Sequence, residues 1–567
     1  MHADGKFFVS NIVHGNRNDQ VSGAVPTAQG NGWRYSLPSL NAGVEAALGG
    51  FVPSDVPQAE ADTLISFWAA MGYPALANWG VDPVVDNWEG VGAGTGHVTS
   101  LSLVNKSLSG SVGSTLNGLS SVLTALDLSA NISLSGVAYG TIWDQATDTY
   151  QTGYIINGTF IAGAVPLTCQ LGMKRCVLSD AGAVQYYLLS TDSTKKADGT
   201  AATLDGTDGQ VMVEIPKFYY VEAFYLTNRY LFVGDLPFSI TLPDSSTVTA
   251  VIHPYFYKGG SATASDYRYV GAYEGALWDA GTSTIFTGAD VIANVYAAGD
   301  KLCSVSGQYP KVSETITEFR AAAAARGAGW HQYDNAAHAA LCMLYLTEFG
   351  HFNTQLKIGD GRTGLSGGAW TAGSYIAVAG LSNANGNATG NVSTDYMSYR
   401  GVENWYGNVW KFLDGANIHN SVADGSRLYL CNDHSKYASD TDTNYSLAGA
   451  LVEIDGYPTD FLSALGFWPT AVGGNTITYL CDYYYTYFDD NPAIGWRVAL
   501  VGGHANGGAG AGAFCLYSNS GSAIANANIG RQLSLFWTIC AHPTMPLGKT
   551  QNDPHRCWYG DGRLRGE

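Results

Sequence analysis

Residues 399–415 read YRGVENWYGNVWKFLDG, and this stretch decides the fold expected for the C-terminal half of the chain. Trp405 and Trp410 supply two large apolar side chains to a region with little regular periodicity. Glu403, Asn404 and Asn408 carry oxygen atoms that accept hydrogen bonds from backbone N–H groups. We therefore predict a loop-rich domain with a tryptophan core, in which these polar side chains cap the loops.

The segment before it, residues 311–350, contains the two clearest helical patterns. Thr315 and Glu318 have the spacing of a capping box, and an alanine run follows them. The second pattern, DNAAHAALCMLYLTEFG, has Asp334 as N-cap and ends at Gly350. Two helices followed by more than 200 residues of turns, aromatic residues and short strands predict an α+β, multidomain protein.

Residues 138–310 form a β-rich intermediate region in this interpretation. Apolar runs such as VMVEIPKFYY (211–220) are separated by Asp-Gly and Gly-Thr turns. Pro216 lies inside that run, and because proline has no backbone N–H we expect an edge strand or a bulge there.

A repeat lies further upstream, in residues 61–137. VTSLSLVNKSLSG (98–110) and LTALDLSANISLSG (123–136) share a leucine pattern at an offset of 25 residues. The pattern resembles leucine-rich repeats, which implies that the leucines at 101, 103, 126 and 128 point into a core. Asn131 would bond neighbouring backbone. Two copies are fewer than the roughly three that a free solenoid needs, so the module must pack on another part of the chain. We interpret it as a spacer or docking module rather than a ligand-binding one.

The ends of the chain carry less information. Residues 1–60 are punctuated by Gly, Asn and Pro and are interpreted as a head or attachment segment. The first residues lack the basic-then-apolar order of a signal peptide. Residues 546–567 are interpreted as a C-terminal tail.

Composition excludes several classes of partner. The chain has 567 residues, 46% of them hydrophobic and only 13% charged, with 70 glycines and 35 tyrosines. Its 28 basic and 47 acidic residues give a net charge of −19. Nucleic acids and anionic membranes are bound mainly through Lys and Arg, so neither is an expected partner. No run of about 18 apolar residues occurs, and membrane insertion is not expected either.

The nine cysteines are scattered and include no Cys-x-x-Cys pair. We predict free, mostly buried thiols in a chain that folds in a reducing compartment. The cysteines and histidines also lack the spacing of a zinc-binding site.

Four pieces of sequence, in this order, resemble one protein family. They are MKRCVLSDAGAVQYYL with VMVEIPKFYY, GWHQYDNAAHAALCMLYLTEFGHFNTQ, the E-N-x-x-G-N-V-W of residues 403–410, and IGWRVALVGG…NANIGRQLSLF (494–536). Together, over about residues 140–540, they resemble bacteriophage tail and tail-tip proteins with a C-type-lectin or formylglycine-generating-enzyme-like fold. The resemblance implies such a domain over residues 311–545.

Residues 502–531, GGHANGGAGAGAFCLYSNSGSAIANANIGR, contain no Asp, Glu, Lys or Arg before the final arginine. The stretch is similar to the variable region of proteins diversified by retroelements, although Arg531 and Gln532 depart from the usual order at its end. Strand-like pieces frame it, which argues against a linker. The resemblance implies an outward-facing display surface, with the alternative of a plain glycine-rich loop. The implied binding positions, joined by two tyrosines of DYYYTYF (482–488), are His504, Gly508, Cys515, Tyr517, Ser518, Ser520, Ile524, Tyr485 and Tyr487.

Tyrosines beside Ser, Asn and Gly form the composition of an adaptable binding surface. The alternative, tyrosines that pack a loop-rich core, carries equal weight. Aromatic rings also stack on sugars, so protein and glycan are both open as targets.

Enzymatic alternatives have weaker support. The related formylglycine-generating enzymes need a reactive cysteine pair, whereas Cys515 and Cys540 form no recognisable paired motif. A capsule depolymerase needs two carboxylates in a groove, and no spacing singles out a pair among Glu403, Asp414, Asp489 and Asp490. We therefore expect no enzyme activity.

The expected cofactor is none. Structural calcium stays open as an alternative, since Asp360, Asp561 and Asn408 offer oxygen ligands and this fold family often binds calcium in loops.

The functional interpretation is a phage virion protein, made in the host cytoplasm and placed on the tail or another distal appendage. It would bind a host cell-surface glycan or protein without turnover and contact other virion proteins. Several copies would raise avidity, which argues for a homo-oligomer, a trimer by analogy with tail fibres. The alternative from another class is a structural component of the collar, baseplate or capsid decoration.

Overall fold

The computed structural model describes residues 26–29, 32–35 and 53–535, apart from 73, 80–81, 113, 130, 132, 258–262, 391–393, 463–465 and 489–493. Most of the predicted head segment and the whole C-terminal tail lie outside the described residues. So do Asp489, Asp490, Cys540, Cys557 and Asp561.

The described residues form an α+β structure rich in short strands. The α-helices are α1 (Gln58–Ala70), α2 (Thr168–Leu171), α3 (Asp290–Ala293), α4 (Ile316–Ala324), α5 (Asn335–Phe349) and α6 (Thr354–Ile358). Single 3₁₀ turns occur at Val85–Asn87, Asn117–Leu119, Pro254–Phe256, Asn383–Asn385, His434–Lys436 and Gly508–Gly510. No helix in this described part is long and apolar enough to cross a membrane.

The strands fall into two runs along the chain. The first run is β1 (Pro26–Gln29), β2 (Gly32–Tyr35), β3 (Val91–Gly94), β4 (His97–Ser102), β5 (Ser109–Ser111), β6 (Ala125–Asp127), β7 (Ser133–Ser135), β8 (Ala138–Asp144), β9 (Thr149–Ile156), β10 (Thr159–Ala162), β11 (Lys174–Leu178), β12 (Val184–Leu189), β13 (Asp192–Lys196), β14 (Gln210–Pro216), β15 (Tyr219–Tyr225), β16 (Asn228–Gly234), β17 (Ser239–Thr241), β18 (Thr247–Thr249), β19 (Val251–Ile252), β20 (Tyr267–Glu274), β21 (Ala276–Asp279), β22 (Thr284–Ile285) and β23 (Lys301–Cys303). The second run is β24 (Trp330–Gln332), β25 (Ser398–Tyr399), β26 (Val402–Glu403), β27 (Trp410–Ser421), β28 (Gly425–Leu430), β29 (Ser446–Leu451), β30 (Pro458–Phe461), β31 (Pro469–Val472), β32 (Tyr484–Tyr485), β33 (Gly495–Val501), β34 (Leu516–Tyr517), β35 (Ile529–Gly530) and β36 (Gln532–Leu535).

Three large sheets organise these strands. The first has nine strands in the order β19-β15-β16-β8-β9-β10-β6-β4-β3. The second has seven strands in the order β13-β12-β11-β14-β20-β36-β24. The third runs β29-β28-β27-β33-β34-β32, with β35 added beside β27. Pro216 is the last residue of β14, a central strand, and β11 pairs with β14 only as far as Glu214. The expectation of an edge strand at Pro216 was therefore wrong, because β14 has a neighbouring strand on each side. The proline is accommodated because it lies past the end of the ladder with β11.

Helix α5 lies at the centre of the molecule. It contacts β8 and β16 of the first sheet and β27 of the third, and its residues from Asn335 to Thr347 are all buried. Its sequence is apolar on every face because no face meets solvent. The predicted caps are confirmed: Asp334 accepts a hydrogen bond from the backbone N–H of Ala337, and Gly350 ends the helix with a φ of 57°. The capping box of Thr315 and Glu318 is also present, at the start of α4.

Helix α1 is an element that sequence reasoning missed. Ala61, Leu64, Phe67 and Trp68 are its buried face, and their spacing of three to four residues is helical. The pattern was present, but the residues from 61 onward were included in the 61–137 repeat module and no helix was predicted there.

The sheets cross the predicted domain boundaries. β6 from the 61–137 segment pairs with β10, so the first sheet continues past residue 137. β36, close to the end of the described chain, pairs with β20 and with β24. The β-rich region and the C-terminal segment therefore share the second sheet as well as one core.

The repeat copies lie side by side. β4 and β6 are parallel, and Leu101 is the register partner of Leu126, which matches the offset of 25 residues in the sequence. Leu101, Leu103, Leu126 and Leu128 are buried, as predicted. Asn131 Oδ1 accepts hydrogen bonds from the backbone N–H groups of residues 106 and 108 at 2.9 and 3.1 Å, and Asn131 Nδ2 donates to three carbonyls.

The stretch 399–415 has the predicted polar caps. The Glu403 carboxylate accepts from the backbone N–H groups of Gly380 and Ser382 at 2.8 and 2.7 Å. Asn408 Oδ1 accepts from the backbone N–H of Ala377 at 2.8 Å. Trp405 is fully buried, which confirms its place in the core.

Candidate binding cavity

The third sheet ends in a cavity of about 210 Å³. Its base comes from strand neighbours: Tyr485 pairs with Tyr517 in parallel register, and Tyr517 pairs with Leu500 across the antiparallel ladder. Trp410, the first residue of β27, is the parallel partner of Ile529 in β35. Backbone pairing thus fixes the positions from which these side chains reach the cavity.

Five rings surround the cavity: Trp410, Tyr485, Tyr487, His504 and Tyr517. The Trp410 ring stands at 85° to Tyr485 and at 82° to His504, with centroid distances of 6.3 and 5.5 Å. Tyr485 and Tyr487 are stacked with an interplanar angle of 16°. Edge-to-face and offset packing of this kind holds each ring by its neighbours, so the wall is preorganised.

Polar side chains complete the wall, and none of the described lining residues is charged. Ser520, Asn526 and Asn528 line the cavity, and their side chains have no hydrogen-bond partner within the described part of the chain. Their backbone is fixed, since the carbonyl of Asn528 accepts from the Trp410 N–H at 2.8 Å and that of Asn526 accepts from the Ile529 N–H at 3.0 Å. The cavity therefore presents free amide and hydroxyl groups from a rigid frame.

Residues 502–531 are anchored to the rest of the fold by remote residues. Gln355 Nε2 donates to the carbonyls of Gly508 and Ala511 at 2.9 and 2.6 Å. The Asp482 carboxylate accepts from the Phe514 N–H at 2.8 Å. The Phe514 ring packs edge-on against Phe352 with a centroid distance of 5.0 Å. This stretch is thus an integral part of the domain and not a linker.

Gly503 shows how closely the stretch packs on itself. It has a φ of 71°, and an added Cβ would lie 2.5 Å from the Cβ of Ala511. A side chain at this position would clash with the wall of the cavity, so glycine is required there.

Seven of the nine predicted site residues line the cavity: Tyr485, Tyr487, His504, Cys515, Tyr517, Ser520 and Ile524. The other two do not. The Gly508 N–H donates to the carbonyl of Thr363 at 2.8 Å. Ser518 is buried, and its hydroxyl donates to the Tyr484 hydroxyl at 3.1 Å.

The outward orientation expected for these positions needs correction. Cys515, Ser518 and Ser520 are buried, with 1%, 1% and 6% of their surface exposed. Their strands and turns pack against Asp482 and the tyrosine strand, so alternate side chains must face inward. The surface is a concave cavity with a buried floor rather than a shallow patch.

Other lining residues were not predicted as site residues: Trp410, Leu500, Gly503, Gly507, Ala511, Asn526, Asn528 and Ile529. Trp410 had been assigned to the core. Asn526 and Asn528 lie at the end of the variable-type region. Their alternation with small residues was the sequence feature that could have marked them as site residues.

The cavity groups are neutral at physiological pH. Burial lowers the pKa of His504, which keeps its imidazole uncharged. Burial, with a smaller contribution from Asp482, raises the pKa of the Cys515 thiol well above its usual value. A protonated thiol is a poor nucleophile, so this geometry is suited to contact rather than covalent chemistry.

The candidate carboxylates have structural partners elsewhere. Glu403 caps the two backbone N–H groups described above. Asp414 is buried and accepts from Arg320 Nε and Nη2 at 3.0 and 2.9 Å. Neither carboxylate lines the cavity.

No group of three or more His, Cys, Asp or Glu side chains that could hold a metal ion occurs in the part of the chain that the structure describes. The seven cysteines of that part form no disulfide, and all but the half-buried Cys431 are buried. The prediction of free, mostly buried thiols is confirmed for these seven.

Comparisons with known proteins find matches among solved structures alone. No family model matches the chain, and no curated protein matches it. Among solved structures, the Major Tropism Determinant U1 variant has a TM-score of 0.22 and 13% sequence identity, with 68% of this chain and 77% of that chain covered. At this TM-score the likeness carries no argument about fold or function.

Proposed function

We propose that this chain is a phage virion protein of the tail or another distal appendage, and that it binds a host cell-surface receptor through the cavity of the third sheet. The virion assignment, and the C-type-lectin-like fold of the C-terminal part, rest on the sequence resemblance. The binding assignment rests on one observation: seven residues chosen from sequence alone line a single cavity. The same cavity is lined by a further aromatic ring and by amide side chains that have no hydrogen-bond partner in the described part of the chain.

The physical case is that of a preformed receptor site. Sites of this kind combine an apolar, aromatic wall with a few oriented polar groups. Fixed rings lose little conformational entropy on binding, while Ser and Asn side chains adapt their hydrogen bonds. The protein would act by binding without turnover. Oligomerisation, as a trimer, would add avidity to a weak single site.

A cell-association assay tests this function. Fluorescently labelled full-length chain is mixed with candidate host bacteria, and unlabelled chain competes. We expect saturable binding that is lost in Ile524→Trp, which fills the cavity from the half-exposed Ile524. The matched control is Ile477→Trp, because Ile477 is 72% exposed and lies outside the cavity. Equal binding by the two variants would contradict the site.

The structural-component alternative predicts a different result on the particle. Hydroxyl-radical footprinting of Tyr485, Tyr487 and Tyr517 compares the intact virion with the free chain. A receptor-binding site stays reactive on the virion, whereas a subunit contact would protect these rings. A capsule depolymerase would release new reducing ends from host capsule, and we expect none.

A further inference from the structure

We infer that the cavity accepts one uncharged sugar ring, as the terminal residue of a host surface glycan. This inference deepens the proposed function and rests on it. It selects between the two receptor classes, glycan and protein, that the sequence leaves open.

Size is the first argument. The cavity volume is about 210 Å³. An apolar cavity of about 150 Å³ holds benzene, and pockets for drug-sized ligands begin at about 300 Å³. A space between these limits fits a single six-membered ring with its substituents, and a second ring would remain outside.

Wall chemistry is the second argument. The Trp410 ring is 5.8 Å from the Tyr517 ring between centroids, and with Tyr485 these rings offer apolar faces to the C–H side of a sugar. Polar groups line the cavity too: the hydroxyl of Ser520 and the amides of Asn526 and Asn528, which have no hydrogen-bond partner in the described residues. A pyranose matches this combination because it has an apolar face and a rim of hydroxyls.

An aromatic side chain of a protein receptor satisfies fewer of these groups. A tyrosine has one hydroxyl, and it would cover several free amide and hydroxyl groups without bonding them. Each polar group left buried and unsatisfied costs about 1–3 kcal/mol. The hydroxyls of a sugar both donate and accept, so they can bond all of them.

Charge is the third argument. The described lining contains no Asp, Glu, Lys or Arg, and His504 is neutral. A carboxylated or phosphorylated sugar would bury its charge without an opposite charge, which is unfavourable. The chain's net charge of −19 also repels acidic polysaccharides at long range. The ligand is therefore expected to be a neutral hexose, deoxyhexose or N-acetylhexosamine.

The test uses methyl glycosides and ligand-observed NMR on the full-length chain. The neutral panel covers methyl glycosides of glucose, galactose, mannose, fucose, rhamnose and N-acetylglucosamine. The charged panel contains methyl glucuronide, methyl sialoside and glucose 6-phosphate. We expect saturable binding of at least one neutral glycoside with a Kd of about 1 mM, the strength reached by a ligand of this size.

Paired variants assign that binding to the cavity. Asn528→Ala removes a lining amide, and Asn506→Ala removes an exposed amide of the same stretch that does not line the cavity. We expect at least tenfold weaker binding in Asn528→Ala and in Ile524→Trp, and unchanged binding in Asn506→Ala. Circular dichroism and the melting temperature of each variant show whether the fold is retained.

Two outcomes would overturn the inference. Stronger binding of the charged panel would overturn neutrality. Absence of binding across the neutral panel, while the chain still associates with cells through the cavity, would overturn the sugar ligand and leave the receptor function standing. Failure of cell association itself, with neutral glycosides still bound by the cavity, would refute the receptor function alone.

Discussion

The repeat block (98–136) and the stretch 502–531 are both rich in small residues and poor in charge, yet the fold holds them in different ways. In the repeat block, each copy is stabilised by the other copy 25 residues away, and Asn131 bonds backbone within the block. In 502–531, the partners are Gln355, Asp482 and Phe352, all of which lie outside the stretch. The conformation of the repeat block is thus set by contacts within the block, whereas the conformation of 502–531 is set by contacts with residues outside it.

This difference has a functional consequence. A region that is held by remote residues at a few points can vary at its other points without losing its conformation. The contribution of the contacts in each region to the free energy of unfolding can be measured by substitution.

The largest effect is expected at Phe514, the main apolar anchor of 502–531. It is buried and packs against Phe352 and Phe467, both at 5.0 Å between centroids. Phe514→Ala should lower the free energy of unfolding by about 3–5 kcal/mol, measured by urea denaturation. The control is Phe224→Ala, because Phe224 is 40% exposed. Equal losses in the two variants would mean that the stretch is not anchored through Phe514.

A smaller loss is expected at Asn131 in the repeat block. Asn131→Ala removes the side-chain partner of two N–H groups and three carbonyls of this turn. The free energy of unfolding should fall by about 3 kcal/mol. Asn117→Ala, in the same block, removes a half-buried amide with no such contacts and should change stability by less than about 0.5 kcal/mol. A loss below 1 kcal/mol in Asn131→Ala would show that the block is stabilised by strand pairing alone.

Lowering the pH should destabilise the packing of helix α5 against residues 502–531. His338 in α5 is buried beside the backbone of Ala513, and burial lowers its pKa to about 4. The unfolded chain has a histidine pKa of about 6.5, so between these values the unfolded state binds more protons. Stability therefore falls as pH falls through this window.

At pH 5 the loss from His338 is about 2 kcal/mol relative to pH 7. The measurement is the urea unfolding free energy at both pH values for the wild type and for His338→Gln. Buried acids with raised pKa values change stability in the opposite direction, and they are present in both proteins. The difference between the two slopes therefore isolates His338. Identical slopes would contradict a neutral buried imidazole.

Prediction from sequence succeeded where the information is local. The caps at Thr315, Glu318 and Asp334 depend on residues within four positions of one another, and all of them formed as expected. The repeat register followed from its period. Pairing between distant segments, such as β20 with β36, leaves no local pattern, and the segments it joins were therefore assigned to different domains.

The candidate site was predictable in composition but not in shape. The resemblance to a diversified variable region and the neighbouring tyrosines selected nine residues, and seven of them line the cavity. Which of them face inward depends on β32 and β34, strands of two residues each. It also depends on the pairing of β32 with β34 and of β34 with β33. Trp410 joins the site only because β35 brings Ile529 beside it.

The smallest stability effect separates the two kinds of position inside 502–531. Ile524 is half-buried at the cavity and packs against the cluster that contains Trp410 and Ile529, so Ile524→Asn should lower the free energy of unfolding by no more than about 1 kcal/mol. Ser518→Ala removes the hydroxyl bonded to Tyr484 without adding bulk to this buried position, at a cost of about 1–3 kcal/mol. Population sequencing of the gene provides the matching test. Substitutions should concentrate at 504, 517, 520 and 524 and avoid 514 and 518. An even spread across the stretch would mean that the cavity is an ordinary surface feature, and the anchors would then stabilise the loop without presenting a binding site.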